Sequence, residues 1–313
     1  MIGYLMGIAT AFLGIASAGP AEDIVYSLPW LDLVHTNTRM WSGHIGVAES
    51  SKKIHYVFVE SQNDPSTDPV VIWYNGGPGC SSMLGFLQEH GPFLWENGNQ
   101  NFTGQNPYSW NLEANMLYIE QPAGVGYSFF ADPDELGFNF TDYNAAQDNL
   151  QAVLGWYQKF PEFKTNDLYI SGESYAGVYV PYLMFLMNNF IEKNFNNPDV
   201  FLPPLKGMMV GNGVTNWKYD GSPSAFEMSY WHSLIDKDLY DRKTKYQCSL
   251  NELEDPDTWS PECQEVAKEF DKLWGDINIY DIFGTCYHSL DVLRSKGADI
   301  KQPYWTAKDY LPW

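Results

Sequence analysis

The hydrophobic pattern of this 313-residue chain divides it into segments of different period. Residues from about 40 to 60 alternate loosely between apolar and polar and carry Gly43 and Gly46, which predicts an opening pair of antiparallel strands. Short apolar runs near 70–74, 115–120, 167–171 and 206–211 predict strands, the first of them buried, and helix-compatible stretches separate them. One stretch runs from Tyr143 to Lys159 and is stopped by Pro161. A second is centred on Tyr182-Leu183-Met184-Phe185-Leu186. This alternation of strand and helix predicts an α/β domain built on a mostly parallel sheet. A loop rich in asparagine and proline, 194–204, is expected at the surface. After Val214 the texture changes: charges cluster, strand-like runs vanish, and three of the four cysteines follow.

Two of the predicted strands run into segments with candidate chemistry. Leu168-Tyr169-Ile170 leads into Ser171-Gly172-Glu173-Ser174-Tyr175-Ala176-Gly177, and a helical pattern follows. A serine between small residues at a strand-to-helix turn is how a sheet presents a nucleophilic hydroxyl at its carboxyl edge. Gly172 and Ala176 flank Ser174 because a sharp elbow leaves no room for larger side chains. Upstream, Val70-Val71-Ile72-Trp73-Tyr74 runs into Asn75-Gly76-Gly77-Pro78-Gly79-Cys80-Ser81-Ser82. Three glycines and a proline let the backbone turn with its amides exposed, which suits an oxyanion. An early glycine loop followed about 100 residues later by a serine elbow is the layout of an α/β-hydrolase. Asn115–Glu120 fits a strand between the two, and Pro122–Gly126 a loop at the same edge. Glu120 is expected to be a structural hydrogen-bonding group rather than a catalytic one.

The run Trp73–Ser82 resembles the signature of the serine carboxypeptidase family. The likeness continues through Asn106-Pro107-Tyr108-Ser109-Trp110-Asn111, Glu120–Ser128, Gly172–Gly177, Val210-Gly211-Asn212-Gly213 and Tyr230-Trp231-His232, in the family's order. By this resemblance Ser174 would be the acylating nucleophile, and the amides of Gly77 and Tyr175 the oxyanion hole. Asn75, Gly76, Glu89 and Glu173 would bind the terminal carboxylate of a peptide. The plain alternative for Glu89 is a solvated residue on a helix face. The resemblance implies an α/β-hydrolase sheet with helices on both faces, a partial core over 19–214, and a mostly helical cap over 215–313. It implies removal of C-terminal residues from peptides or proteins through an acyl-enzyme, with no metal or organic cofactor, and leaves a homodimer open. Two glutamates facing a third carboxylate must share protons, so peptide binding is expected to be best at acidic pH.

Composition narrows the setting. A net charge of −21 and a sequence pI near 4.4 argue against a nucleic-acid partner. A hydrophobic content of 44% and an aromatic content of 16% support a sizeable core. Residues 1–18 are apolar and uncharged and end in Ala16-Ser17-Ala18, which reads as a secretory signal peptide. No later stretch is long enough to span a bilayer. The expected location is the secretory pathway, with lysosome or vacuole and the extracellular space as its ends. Asn101-Phe102-Thr103 and Asn139-Phe140-Thr141 are glycosylation sequons. In this compartment the cysteines should be oxidised, and Cys248 with Cys263 is the natural local pair. In the family, the cysteines matching Cys80 and Cys286 bond to partners further downstream, where this chain has none.

The serine's base and its orienting carboxylate are not found. In α/β-hydrolases the order is Ser, Asp, His. Only His232 and His288 follow Ser174, and neither has the strand–loop setting of a catalytic imidazole. His35, His44, His55 and His90 precede it, and a loop or helix-end role is expected for His90. The family's final strands are therefore expected to be missing from this sequence. Two alternatives stay open beside the carboxypeptidase: an acyltransferase on the same scaffold, and a catalytically incomplete binding protein.

Overall fold

The computed structural model describes residues 19–28, 31–33, 38–95, 102–135, 140–251, 253–274 and 282. The chain divides into two compact units, Met1–Thr215 and Asn216–Trp313. In the first unit the strands are β1 (Ser27–Leu28), β2 (Leu31–Asp32), β3 (Met40–Gly46), β4 (Lys52–Val59), β5 (Val70–Tyr74), β6 (Phe93–Trp95), β7 (Phe102–Gln105), β8 (Asn115–Ile119), β9 (Phe129–Phe130), β10 (Leu168–Glu173) and β11 (Leu205–Gly211). Its helices are α1 (Asp142–Lys159) and α2 (Ala176–Asn194). The main sheet has the order β11-β10-β5-β8-β4-β3, with β9 on β4. The four strands β11, β10, β5 and β8 are parallel, and β4, β3 and β9 join antiparallel. The opening antiparallel pair and the four later strands lie where the apolar pattern predicts them.

Every residue of β5 and of β8 is buried, which is why both read as continuous apolar runs rather than alternating ones. One sheet face, with Ile54, Tyr56, Ile72, Leu117 and Ile170, packs against Trp156 and Tyr157 of α1 and Val180, Leu183 and Met187 of α2. The opposite face carries Val57, Val71, Trp73, Met116 and Tyr118. Phe86, from the short helical turn Gly85–Glu89, and Phe93 cover it, so helical segments flank both faces. α1 opens on a reciprocal cap, with the Thr141 hydroxyl accepting from the Asn144 amide and the Asn144 side chain accepting from the Thr141 amide. Pro161 follows its end, as the sequence requires.

α2 begins at Ala176, six residues before the apolar run that announces it, and keeps Pro181 within its second turn. The lost amide falls near the helix start, where the strand–turn–helix junction already fixes the backbone. A buried ion pair also crosses this unit: Lys52 Nζ donates to Asp148 Oδ2 at 2.7 Å, with about 8% and 9% of the two side chains exposed. Burial pushes the Asp148 carboxyl up, against the opposing pull of Lys52. No helix among the described residues is long and apolar enough to cross a membrane.

The second unit contains α3 (Ser222–Trp231), α4 (Lys237–Lys245) and α5 (Pro261–Trp274). Its core is Phe226, Ile235, Leu239, Leu250, Val266 and Phe270, and the disulfide Cys248–Cys263 closes a loop of 15 residues beside it. That is the local pair the spacing points to. His232 caps the end of α3 with Nδ1 3.0 Å from the Met228 carbonyl and is exposed. The predicted signal segment, His35, both sequon asparagines, Cys286 and His288 lie outside the described residues.

With so small a core, the disulfide should matter to the second unit. Cys248→Ser is expected to cost about 3 kcal/mol, the loop-entropy value for a ring of this size. Urea denaturation of the full chain, with and without reductant, checks this. A reductant-insensitive midpoint that the variant also leaves unmoved would show that the cross-link contributes nothing.

Candidate active site

The parallel pairing of β5 with β10 runs residue for residue, from Val70 opposite Leu168 to Tyr74 opposite Gly172. The chain therefore leaves both strands at one edge and on neighbouring tracks. From β10 it passes through Ser174 and Tyr175 directly into α2. Ser174 has φ +57°, in the left-handed region that a non-glycine residue adopts at a cost. Two hydrogen bonds, one to the end of β11 and one from the segment after it, hold that turn: Ser174 N–H to the Gly211 carbonyl at 3.1 Å, and Val214 N–H to the Ser174 carbonyl at 2.9 Å.

The elbow and the glycine loop touch backbone to backbone. A Cβ on Gly76 would stand 2.3 Å from the Tyr175 amide nitrogen, 2.8 Å from the Glu173 carbonyl oxygen and 2.9 Å from Ser174 Cβ. A Cβ on Gly172 would lie 2.5 Å from the Tyr74 carbonyl oxygen and 2.6 Å from Ala176 Cβ. These distances give the physical content of the small residues around Ser174. The loop itself closes with Cys80 N–H on the Gly76 carbonyl at 3.0 Å, leaving Gly77 at its crest.

Beside the crest, one buried carboxamide organises the polar groups. Asn75 is 1% exposed. Its Nδ2 donates to Glu89 Oε1 and to Glu173 Oε1, both at 2.9 Å. Its Oδ1 accepts from Trp73 Nε1 at 2.8 Å and from Gly85 N–H at 2.9 Å. The two glutamates, far apart in the sequence, thus face one donor. Glu89 is exposed as a whole residue, but its carboxyl is tied to Asn75 rather than simply solvated. Burial, reinforced by the charge of Glu173, holds it above the usual carboxylate range, against the opposing donation from Asn75. The same two causes push the neighbouring Cys80 thiol up.

Glu120 behaves in the opposite sense. It follows β8, is fully buried, and accepts from the Ser81 hydroxyl, from Tyr127 N–H at 2.7 Å and from His55 Nδ1 at 2.8 Å. Burial raises its carboxyl, but the donors from His55, Ser81 and Tyr127 outweigh that and hold it low. His55 Nε2 lies 2.8 Å from Ser42 Oγ. Hydroxyl, imidazole and carboxylate thus occur in triad order at Ser42, yet Ser42 lies within β3 with no elbow. The structural hydrogen-bonding role expected of Glu120 is what the geometry supplies, but nothing in the sequence points to His55 as its partner or to Ser42 beyond it.

The other described imidazoles of the first unit are engaged elsewhere. His44 Nε2 is 2.9 Å from the Tyr127 carbonyl. His90 ends the Gly85–Glu89 turn, stacks on Trp110 and sits 3.1 Å from the Tyr118 hydroxyl; burial lowers its pKa to about 4. Among the described residues no side chain hydrogen-bonds the Ser174 hydroxyl.

Known proteins share this arrangement of sequence. The family model described as serine carboxypeptidase matches residues 31–313. The chain is 38% identical over 271 residues to the lysosomal protective protein of Mus musculus, covering 86% of this chain and 54% of that protein. It is 36% identical over 291 residues to serine carboxypeptidase 1 of Hordeum vulgare, covering 91% and 56%. Among solved structures it resembles a prohormone-processing carboxypeptidase of Saccharomyces cerevisiae, Kex1Δp, with a TM-score of 0.60 and 27% identity over 77% of this chain and 55% of that one. The chain spans about half the length of the curated relatives it matches.

The Asn75 carboxamide is expected to be structural as well as recognitive. Asn75→Leu keeps the volume but strands Trp73 Nε1 and the Gly85 amide without an acceptor, a loss of about 3 kcal/mol. Chemical denaturation of the full chain measures it, and a change below about 0.5 kcal/mol would contradict a structural role.

Proposed function

The chain belongs to the serine carboxypeptidase family, and from that premise we propose that Asn75, Gly76, Glu89 and Glu173 recognise the terminal carboxylate of a peptide while Ser174 attacks the adjacent carbonyl. The observation that carries this reading is the single Asn75 amide donating to both glutamates, set against an elbow that holds Ser174 in a left-handed turn. Exopeptidase chemistry needs those two functions side by side. The serine oxygen adds to the carbonyl, and the amides of Gly77 and Tyr175 take the developing charge, each such donor contributing on the order of 3 kcal/mol. Collapse breaks the C–N bond and expels the amine of the C-terminal residue. That amine takes up the proton the serine gives up, through a general base still to be identified, and an acyl-enzyme is left for water to hydrolyse.

The carboxylate end of the site explains an acidic preference. Glu89 is held above the ordinary carboxylate range. Below that raised value it carries a proton that it can donate to the incoming carboxylate. Above it, the site bears one more negative charge and repels the ligand. The same sign applies to folding: the native state binds more protons than the unfolded chain in that window, so Glu89 lowers stability as pH rises through it. The Cys248–Cys263 disulfide and the likeness to the lysosomal protective protein support a secretory-pathway protein, with the lysosome or vacuole as the acidic end of that route.

Binding of an N-blocked dipeptide to the full chain is therefore expected to weaken from pH 5 to pH 8, by up to about tenfold per pH unit above the raised value of Glu89. Equal affinity at both pH values would sink the shared-proton reading. For the chemistry, Ser174→Ala should remove dipeptide hydrolysis while leaving dipeptide binding. Running the assay with an activated ester in water and in added alcohol separates hydrolysis from acyl transfer. Tight dipeptide binding by a chain that turns over neither would favour the binding-protein alternative.

A further inference from the structure

The glycine loop is tied down by two side chains outside the set that faces the peptide. From one side comes Tyr179, on the face of α2 that follows the elbow. Its hydroxyl accepts the Gly79 N–H at 3.1 Å, one hundred positions away in sequence. Tyr179 is 7% exposed, and its ring packs edge-on to Tyr175 at 5.2 Å. From the other side comes Glu120, just after β8, whose carboxylate accepts the Ser81 hydroxyl. Glu120 is itself fixed by His55 Nδ1 and by the Tyr127 amide.

The loop needs outside support. Between Gly76 and Cys80 it contains three glycines and a proline, and its crest is closed by one internal backbone hydrogen bond. Glycine-rich backbone is costly to order. An oxyanion donor, however, is useful only within about 2.7–3.1 Å of the place where charge develops, and a misplacement near 1 Å costs on the order of a hundredfold. The Tyr179 tie anchors the loop to the helix that starts at the nucleophile, so loop and serine share one reference frame. The Glu120 tie anchors it to the sheet.

We propose that Tyr179 and Glu120 are positioning residues that clamp the Asn75–Ser82 loop from its two sides and keep the Gly77 amide aligned with Ser174. This rests on the reading of Gly77 as an oxyanion donor. The residues act through the loop and touch no substrate. Because its carboxyl is held low by its donors, Glu120 stays an acceptor in the acidic range where peptide binding is strongest.

The test uses the full chain as Tyr179→Phe, which deletes one oxygen and keeps the ring, with Glu120→Gln as a second variant. Three readouts are taken: amide hydrogen exchange of the segment 76–82, the rate at which a fluorophosphonate modifies Ser174, and the Kd of an N-blocked dipeptide. In Tyr179→Phe, exchange should accelerate and labelling slow by about tenfold, while the dipeptide Kd stays within about twofold, because the clamp serves the oxyanion side and not the carboxylate side. Glu120→Gln should move the same two readouts in the same direction. Unchanged exchange in Tyr179→Phe overturns the clamp, as does dipeptide affinity falling in step with labelling. If unmodified chain is not labelled, the labelling arm reports only on activation of Ser174, and the exchange and dipeptide arms decide the clamp.

Discussion

Two backbone segments, one leaving β5 and one leaving β10, approach so closely that no side chain fits between them. The residue-for-residue parallel register, ending with Tyr74 opposite Gly172, brings both to the same edge one strand spacing apart. In an open α/β sheet the carboxyl edge is where ligands are met, because loops leaving adjacent parallel strands converge there. Here the convergence is tight enough that Gly76 abuts the Tyr175 amide and Gly172 abuts Tyr74. Everything polar in the site follows from that approach. It brings Asn75 within reach of Glu173, places the loop crest beside Ser174, and lets a tyrosine on α2 hold an amide of the loop.

The carboxylates near this edge show how environment, not residue type, assigns roles. Glu89 and Glu120 lie at the ends of neighbouring elements and are pushed in opposite directions. Glu120 has three donors aimed at it, so its charge is kept despite complete burial. Glu89 is desolvated with one neutral donor and a like charge beside it, so its proton is favoured. A charged carboxylate suits a fixed anchor, and a protonatable one suits a surface that must accept another carboxylate. Asn75 can serve both glutamates because its amide donates without adding charge.

Much of this was legible in the sequence, for reasons that are themselves physical. β5 and β8 are buried on both faces, so Val70–Tyr74 and Asn115–Ile119 appear as unbroken apolar runs. The elbow shows itself because steric exclusion at Gly172 and Ala176 leaves small residues at fixed offsets from Ser174. The Cys248–Cys263 pair is local enough for spacing alone to suggest it. What stayed hidden is long-range pairing between unlike segments. No local pattern joins Tyr179 to Gly79, His55 to Glu120, or Lys52 to Asp148, because those contacts exist only once the strands are in register. The early start of α2 was hidden for a related reason: the first turn is set by the elbow and β11 rather than by its own apolar residues.

Ser42 and Ser174 divide between them what a serine hydrolase needs in one place. Ser42 has an imidazole at 2.8 Å, backed by a buried carboxylate, but it sits in a strand whose backbone amides are committed to the ladder. Ser174 has the strained turn, the adjacent glycine loop and the Asn75–Glu89–Glu173 group, but no imidazole hydrogen-bonded to it among the described residues. A hydrogen-bonded chain of hydroxyl, imidazole and carboxylate is therefore not sufficient to identify a triad; the geometry of the nucleophile decides. The first unit's described imidazoles are all engaged away from Ser174. His55 belongs to Glu120, His44 to the Tyr127 carbonyl, and His90 is buried with its pKa lowered to about 4. The loop and the Asn75 group depend on backbone position rather than on proton transfer, so that part of the arrangement stands even though no described imidazole reaches Ser174.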